Sequence, residues 1–137
     1  MYDRKRLKAQ LTIDEDKRNK PYVDTVGKLT IGVGRNLTDK GISDKAIDFL
    51  LEEDIDETEA VADRLFPWWR SMSDARQEAF LNWLFNLGPT RALTFTNTLR
   101  AFKEQRWEDV ALGLKDSKWC GQVGARADRI IDKIRKG

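Results

Sequence analysis

Three polar residues near the N-terminus, Glu15, Asp24 and Thr30, have types and a spacing suited to cleaving a glycosidic bond. Such cleavage uses two carboxyl groups: a protonated one donates to the leaving oxygen, and an ionised one activates water or attacks the sugar. Thr30 is placed to help hold that water. The chain contains no histidine, so acid–base chemistry must rely on carboxylates, lysines or tyrosines. The spacing alone is unspecific, and a helix-end charge, a turn residue and a strand former are the competing interpretation.

The elements that would position these residues are a short helix and a β-hairpin. Leu7 and Leu11, four residues apart among charged residues, predict a helix that ends near residues 14–16. The turn sequence Asp-Thr-Val-Gly of residues 24–27 precedes a segment rich in β-branched residues, so residues 22–33 predict a hairpin. A helix end beside a hairpin makes a cleft, which would place two carboxyl groups on either side of a sugar.

Helical patterns predominate after Gly41. Ser43 is the predicted N-cap of a helix that continues to about residue 65, and Ser73 is the predicted N-cap of a helix that ends at Gly88. The second helix is apolar on most sides, so we expect it to be buried at the centre of a helical lobe. Three shorter helices are predicted at Thr98–Glu104, Trp107–Lys115 and Ala125–Arg135.

The length of 137 residues and the absence of repeats or low-complexity segments favour one compact domain. We predict a single α+β domain over residues 1–137, with a cleft between two lobes. Its parts are a β-hairpin lobe at about 14–42, a long connecting helix at 43–65, and a larger helical lobe formed by 1–13 and 66–137.

The charge pattern bears on possible partners. The net charge is +2, but residues 1–20 carry seven Lys or Arg against four Asp or Glu, and residues 100–137 carry ten against six. Two basic chain ends that met in space would attract a polyanion such as a bacterial wall polymer or nucleic acid. Solvated helix faces are the plainer interpretation, and no nucleic-acid recognition motif is present. We therefore expect no nucleic-acid partner.

Several further classes of protein are excluded at this stage. No run approaches the ~18 apolar residues of a membrane span, and the basic N-terminus lacks the apolar region of a signal peptide, so no membrane anchor is expected. The single cysteine, Cys120, rules out an internal disulfide and is expected to be a small residue that fills a buried or half-buried position. Without histidine, the commonest metal ligand, we expect neither a metal ion nor another cofactor.

The tryptophans are mostly expected in the core. Trp83, Trp107 and Trp119 fall within helical patterns and are predicted to be buried. Trp68 and Trp69 lie between two predicted helices, where they would form either a sugar-stacking platform or a packed corner. The packed corner is the favoured interpretation.

Several segments together carry a family resemblance. They follow one another in the same order along nearly the whole chain, and they agree independently: Leu11–Glu15, Tyr22–Gly34, Phe85–Gly88, Phe95–Leu99, Arg106-Trp107, Ser117–Trp119 and Arg126–Arg129. These segments strongly resemble the phage lysozymes of the T-even type, the endolysins and muramidases of glycoside hydrolase family 24.

The resemblance implies a lysozyme-like fold and hydrolysis of the β-1,4 bond between N-acetylmuramic acid and N-acetylglucosamine in peptidoglycan. Glu15 matches the family's general acid, Asp24 the carboxylate that activates the attacking water, and Thr30 the residue beside that water. Because such enzymes are similar to inverting glycosidases, the carboxyl groups are expected roughly 6.5–9.5 Å apart. Arg126 matches an arginine that pairs with the catalytic glutamate across the cleft.

Four further residues match positions that line the family's sugar-binding cleft: Phe85, Asn86, Thr98 and Gln122. Core packing or capping is the alternative role for each of them, and most of all for Phe85. The sequence also departs from the family pattern at two places. Arg35 stands where relatives often have a structural histidine, and the segment Asn36–Ser43 is shorter than in the longest relatives and is expected to lack a small helix.

The resemblance implies a phage or prophage endolysin that lyses the host, with the antibacterial action of a bacteriolytic enzyme. We expect a monomer in the host cytoplasm that reaches the periplasmic wall after a separate protein permeabilises the membrane. Three alternatives remain. A lytic transglycosylase needs no water-activating carboxylate, so Asp24 argues against it. A wall-binding or phage-particle module without activity has no need of Glu15, Asp24 or Thr30, so these three residues argue against that module. A nucleic-acid binder predicts steeply salt-dependent DNA binding.

Overall fold

The computed structural model describes all 137 residues, which form two compact units, Met1–Phe49 and Leu50–Gly137. The protein is mostly helical and contains one small antiparallel sheet, which confirms the predicted α+β class. None of its helices is both long enough and apolar enough to cross a membrane.

The first unit consists of short elements. In chain order they are α1 (Arg4–Asp14), β1 (Arg18–Val23), β2 (Leu29–Gly32), β3 (Arg35–Asn36) and α2 (Leu37–Lys40). The long helix α3 (Asp44–Leu65) follows, and the division between the two units falls within it. Its start confirms the predicted cap, because Ser43 Oγ accepts a hydrogen bond from the Ala46 N–H at 3.1 Å.

The sheet corrects the predicted two-stranded hairpin over residues 22–33. Its strand order is β1-β2-β3, β1 begins as early as Arg18, and a third strand follows β2. Gly32 and Gly34 have φ angles of +69° and +65°, which side chains other than glycine rarely adopt. These two glycines let the chain reverse tightly after β2, so the Gly-x-Gly sequence ends one strand and begins the next.

The segment after β3 contains a small helix, which overturns the expectation that Asn36–Ser43 lacks one. Helix α2 begins where the Asn36 side chain accepts a hydrogen bond from the Asp39 N–H at 3.0 Å. The helix is also tied to β2, because Thr38 Oγ1 accepts the Leu29 N–H at 2.8 Å. An asparagine N-cap and one hydrogen bond to the sheet therefore stabilise a single turn of helix.

The second unit is entirely helical. Besides the rest of α3 it contains a 3₁₀ helix (Pro67–Ser71), α4 (Asp74–Leu87), α5 (Pro89–Ala92), α6 (Thr96–Lys103), α7 (Trp107–Lys115), α8 (Lys118–Val123) and α9 (Ala125–Lys136). The three short helices predicted in this region are confirmed to within a few residues at their ends. The 3₁₀ helix, α5 and α8 were not predicted, because their short segments carry too few turns for a helical pattern.

Helix α4 contributes to the core of this unit, as predicted, but it is buried along only part of its surface and not on most sides. Ser73 caps it by accepting the Arg76 N–H at 3.3 Å, and it ends before Gly88. Its buried aromatic residues, Phe80 and Trp83, belong to an aromatic cluster whose neighbouring rings lie 5.1–6.1 Å apart. The cluster comprises Phe66, Trp68, Phe80, Trp83, Phe95 and Phe102. Such aromatic packing supplies much of the burial that holds small helices together.

The tryptophan predictions are confirmed with one exception. Trp83 and Trp119 are fully buried, whereas Trp107 is only half-buried. The Arg76 guanidinium covers the half-buried Trp107 ring at 4.1 Å and donates to the Ile134 carbonyl at 2.8 Å. Burial there lowers the pKa of Arg76. Cys120 is half-buried, as predicted.

Trp68 and Trp69 form part of a packed corner, as predicted. Trp69 is buried, and its indole N–H donates to Asp63 Oδ1 at 2.8 Å. The Arg70 guanidinium lies over the Trp69 ring at 4.5 Å and donates to both carboxylate oxygens of Asp63, at 2.7 and 3.0 Å. These hydrogen bonds from Arg70, and then that from Trp69, lower the pKa of Asp63. The corner therefore joins α3 to the 3₁₀ helix through one carboxylate.

Candidate active site

Glu15 is the residue at which helix α1 ends. The Lys17 N–H donates to the Thr12 carbonyl and the Asp16 N–H donates to the Ile13 carbonyl, both at 3.4 Å. Asp16 has a φ angle of +55°, so these bonds form the closing motif that commonly ends helices with a left-handed residue. This motif fixes the backbone on both sides of Glu15 and projects its side chain from the helix end.

The Glu15 carboxylate lies against the turn between β2 and β3. A Cβ atom placed on Gly34 would stand 2.6 Å from Glu15 Oε2 and 3.0 Å from Glu15 Cδ. No hydrogen bond or ion pair within Met1–Phe49 engages this carboxylate. Its position is therefore set by contact with the glycine backbone, and its oxygens remain available to a ligand.

Asp24 is held at the opposite end of β2 by its own turn. Its Oδ1 accepts the Val26 N–H at 3.0 Å and the Lys28 N–H at 2.8 Å, so the predicted turn is closed by the Asp24 side chain. Gly27 supplies the required positive φ angle of +83°. Both of these hydrogen bonds end on Oδ1, so Oδ2 has no partner in the turn. The carboxylate is thus fixed through one oxygen and free at the other.

Thr30 is buried in the central strand, with only 4% of its surface exposed. Its Oγ1 donates to the Lys28 carbonyl at 3.0 Å, and the Asp24 N–H donates to the same carbonyl at 2.9 Å. Tyr22 pairs with Thr30 across β1 and β2, so Asp24 and Thr30 lie on the same face as diagonal neighbours. Such neighbours have Cα atoms roughly 7–8 Å apart, so their side chains face a common space.

Arg126 and Gln122 lie in the second unit, and each is engaged by a side chain that the sequence did not single out. The Arg126 guanidinium donates to Asn82 Oδ1 through Nε at 3.0 Å and through a terminal nitrogen at 2.7 Å. Gln122 Oε1 accepts a short hydrogen bond from Arg91. Asn82 and Arg91 are 44 and 31 residues away from their partners, so no local signal could have indicated these pairs.

Phe85 is exposed on α4, where it lines two neighbouring cavities of about 320 and 340 Å³. Acidic residues Asp54 and Glu57 line the first cavity, whereas the second is mostly apolar and includes the Arg126 side chain. An exposed aromatic ring beside polar groups is suited to stacking on a sugar. Phe85 therefore does not have the buried position that the core-packing alternative requires.

Asn86 and Thr98 have structural partners. Asn86 Oδ1 accepts the indole N–H of the buried Trp119 at 2.9 Å. Thr98 is buried on α6, against Gly113 of α7, and lines a separate cavity of about 250 Å³. The structure thus gives Asn86 a hydrogen-bonding role inside the helical unit and does not bring Thr98 into the cavities beside Phe85.

Two further features bear on the site: the hydrogen bond that Arg35 makes, and whether acidic or cysteine side chains are grouped to hold a metal ion. Arg35 Nε donates to the Gly41 carbonyl at 3.0 Å, so this side chain connects β3 to the segment that leads into α3. No group of three or more cysteine, aspartate or glutamate side chains is arranged to hold a metal ion. In the first unit, Glu15, Asp24 and Thr30 supply two carboxyl groups and a hydroxyl.

Comparison with known proteins places this geometry in a family. Residues 13–133 match the phage lysozyme family, and this match includes Glu15, Asp24 and Thr30. The chain belongs to the phage lysozyme family. It is accordingly a lysozyme, a hydrolase that degrades peptidoglycan.

Individual relatives agree with the family assignment. A probable T4-type lysozyme 1 of Dictyostelium discoideum is 27% identical over 161 aligned positions, which cover 96% of this chain and 94% of the relative. A probable T4-type lysozyme 2 of the same organism is 26% identical, and the alignment again covers 96% of this chain and 94% of the relative. The pre-baseplate central spike protein Gp5 of Enterobacteria phage T4 is 28% identical over 96% of this chain but only 28% of its own length.

Proposed function

We propose that this lysozyme cleaves the β-1,4 bond between N-acetylmuramic acid and N-acetylglucosamine, with Glu15 as general acid and Asp24 as the carboxylate that activates water. The observation that carries the proposal is that Asp24 and Thr30 lie on one face at the end of the β1–β2 ladder and donate to the same Lys28 carbonyl. A second feature supports it: Glu15 leaves the end of α1 over the other end of β2.

The hydrogen bonds around Thr30 define how a water would be held. Because Thr30 Oγ1 donates its proton to the Lys28 carbonyl, the hydroxyl can only accept a hydrogen bond from the water. The free Oδ2 of Asp24 accepts the second proton of that water. Both protons then point into the protein, and a lone pair of the water oxygen points outward toward the anomeric carbon. Asp24 takes one proton as the water attacks.

Glu15 supplies the opposite half of the reaction. Its protonated carboxyl donates to the glycosidic oxygen as the bond breaks, which lets the sugar leave as a neutral hydroxyl. If water attacks from the face opposite to the leaving oxygen, the anomeric configuration inverts. This mechanism requires about 6.5–9.5 Å between the two carboxyl groups to leave room for the water. Phe85 and Gln122 are proposed to bind flanking sugars.

The biological role that we propose is that of a phage or prophage endolysin. The protein acts as a monomer on the cell wall after a separate protein permeabilises the host membrane, and host lysis follows. One relative favours a second candidate: in a spike protein of phage T4, a region similar to this chain occupies 28% of the length. A lysozyme carried in a phage particle would use the same chemistry from outside the cell.

The test is a digest of purified Gram-negative peptidoglycan, with products identified by mass spectrometry. Wild type is compared with Glu15→Gln and Asp24→Asn, and the stereochemistry of the first product is followed by NMR. We expect reducing-end muropeptides from wild type, and a loss of rate of about 10²–10⁴ in each variant because each lacks half of the acid–base pair. Asp14→Asn is the matched control, since it neutralises the neighbouring exposed carboxylate and should leave the rate unchanged.

Each other result assigns a different function. Anhydro-muropeptides from wild type would identify a lytic transglycosylase, for which Asp24 is dispensable. Full activity in Glu15→Gln or Asp24→Asn would remove that residue from the mechanism. An absence of products from the folded wild type would favour a wall-binding or particle-borne module without activity.

A further inference from the structure

We propose that Gly34 is a positioning residue for Glu15: the missing side chain at position 34 leaves the space in which the Glu15 carboxylate lies. The inference rests on the proposed role of Glu15 as general acid. It adds a residue to the site that neither titrates nor touches a sugar through a side chain.

The contact is closer than a side chain at position 34 would allow. A Cβ on Gly34 would stand 2.6 Å from Glu15 Oε2, 3.0 Å from Cδ and 3.2 Å from Cγ. Contacts below about 3 Å to a Cβ are strongly repulsive, because they lie well inside the optimal separation of non-bonded heavy atoms. One of the two groups would have to move.

Glu15 is the group that would move. The atoms that the added Cβ meets are the far end of a flexible side chain, and no hydrogen bond within Met1–Phe49 holds that end in place. The backbone of Glu15 is restrained by the closing motif of α1, so the displacement is confined to the carboxyl group. An added methyl group at position 34 therefore leaves the fold intact and misplaces the proton donor.

Gly32 provides the comparison that separates this contact from backbone strain. Its φ angle of +69° matches the +65° of Gly34, and both residues lie in the reversal between β2 and β3. A Cβ on Gly32, however, would meet no atom within 4 Å. Gly32→Ala and Gly34→Ala thus carry a similar conformational penalty, and only Gly34→Ala reaches Glu15.

The experiment measures steady-state kinetics on a soluble, uncross-linked glycan substrate for wild type, Gly32→Ala, Gly34→Ala and Glu15→Gln. We expect similar melting temperatures for the two alanine variants. We expect kcat of Gly34→Ala to fall on the order of 100-fold below that of Gly32→Ala, because a misplacement of about 1 Å has an effect of this size. KM should match that of Gly32→Ala, since the sugar contacts are unchanged.

NMR provides a readout that does not depend on turnover. In the wild type, the α-protons of Gly34 should show a nuclear Overhauser effect to the γ-protons of Glu15. The carboxyl-carbon signal of Glu15, assigned by its absence in Glu15→Gln, should move in Gly34→Ala and stay in place in Gly32→Ala.

The outcomes separate this inference from the proposed function. Full activity in Glu15→Gln would overturn the role of Glu15 and this inference with it. An inactive Glu15→Gln together with equal kcat in the two alanine variants would overturn the inference alone. Absence of the Overhauser effect, or a Gly34→Ala chain that fails to fold while Gly32→Ala folds, would overturn it as well, because Glu15 would then not be the group that yields.

Discussion

Asp24 and Thr30 share one acceptor: the Lys28 carbonyl receives the Asp24 N–H at 2.9 Å and the Thr30 hydroxyl at 3.0 Å. The shared carbonyl orients the hydroxyl of Thr30 inward and couples it to the turn that holds Asp24. A residue on the strand and a residue on the turn are thereby fixed relative to each other by main-chain atoms, without a direct hydrogen bond between their side chains.

This relationship predicts that the Thr30 hydroxyl matters for turnover more than for stability. Thr30→Val keeps the shape of the side chain but can neither accept from a water nor donate to the Lys28 carbonyl. We expect kcat on peptidoglycan fragments to fall on the order of 100-fold, because the water is no longer held. The free energy of unfolding should fall by only about 0.5–1.5 kcal/mol, since the Lys28 carbonyl keeps the Asp24 N–H as a donor.

Thr30→Ser is the matched control. It retains the hydroxyl and should retain most of the rate, although it loses some packing in the sheet. A Thr30→Val enzyme as active as the Ser variant would show that Thr30 serves only as a strand residue.

The end of α1 predicts a stabilising substitution. Asp16 occupies a left-handed conformation with a φ angle of +55°, which side chains other than glycine adopt at a cost. We expect Asp16→Gly to raise the free energy of unfolding by about 0.5 kcal/mol, measured by urea unfolding, because glycine is the preferred residue at this position after a helix. The ion pair with Arg18 is exposed and contributes little.

Asp16→Asn tests the cause of that effect. Asparagine removes the charge but has a similar tolerance of the left-handed region, so its stability should stay near that of wild type. Equal stabilisation by asparagine and glycine would point to the charge of Asp16, and not to its backbone conformation, as the unfavourable feature.

Asn86 offers a choice between a structural role and a sugar-binding role. Its side chain accepts the indole N–H of Trp119, which is fully buried. We expect Asn86→Ala to lower the free energy of unfolding by about 1–3 kcal/mol, because the buried donor loses its partner. A sugar-binding role would instead appear as a raised KM with unchanged stability.

The partner of Asn86 supplies the control. Trp119→Phe removes the donor, so the further change Asn86→Ala should have little effect on stability in that background. The interaction energy from this double-mutant cycle measures the hydrogen bond itself. Additive effects of the two substitutions would contradict the proposed coupling.

Elements with a local signal were predictable, and those that depend on distant contacts were not. Ser43 and Ser73 each carry the cap that starts a helix within three residues, so both helix starts were correct. The cap at Asn36 is equally local and would have indicated α2. The segment Asn36–Ser43 is shorter than in the longest relatives, however, and this favoured the absence of a helix there. By contrast, α5 and α8 have only four and six residues and rely on tertiary packing.

The same distinction applies to the candidate site. Glu15, Asp24 and Thr30 could be singled out by residue type, but their spacing alone is unspecific, and the family resemblance was needed to suggest their roles. The contact between Glu15 and Gly34 was not predictable, since it joins a helix end to a turn in a different element. In the sequence, a glycine that leaves space for a neighbouring side chain cannot be distinguished from one that only favours a turn.

Arg35 is expected to affect stability and not turnover. Its Nε donates to the Gly41 carbonyl at 3.0 Å, which connects β3 to the segment between α2 and α3. Histidine is too short to reproduce this bond with the same geometry, so Arg35→His should lower the melting temperature with kcat unchanged. A large fall in kcat at constant melting temperature would give Arg35 a role in the site. Arg35→Lys, which keeps the charge, distinguishes loss of the hydrogen bond from loss of the cation.

The corner around Asp63 predicts how stability depends on pH. Hydrogen bonds from Arg70 and from Trp69 lower the pKa of Asp63 below its ordinary value of 3.8, so the folded state favours the ionised carboxylate. This contribution is fully present above the unfolded pKa, and it is lost as the pH falls through the lower folded pKa. Asp63→Asn should therefore have a lower melting temperature than wild type at pH 6, and the difference should shrink as the pH drops below 4.

Asp56→Asn is the control for this pH dependence, because Asp56 is an exposed residue of the same helix for which no ion pair is found. Its melting temperature should follow that of wild type across the whole pH range. If the Asp63 variant instead stayed below wild type by a constant amount down to the lowest pH, the lost contribution could not come from the ionised carboxylate. The packing of Trp69 and Arg70 would then hold the corner together without the charge.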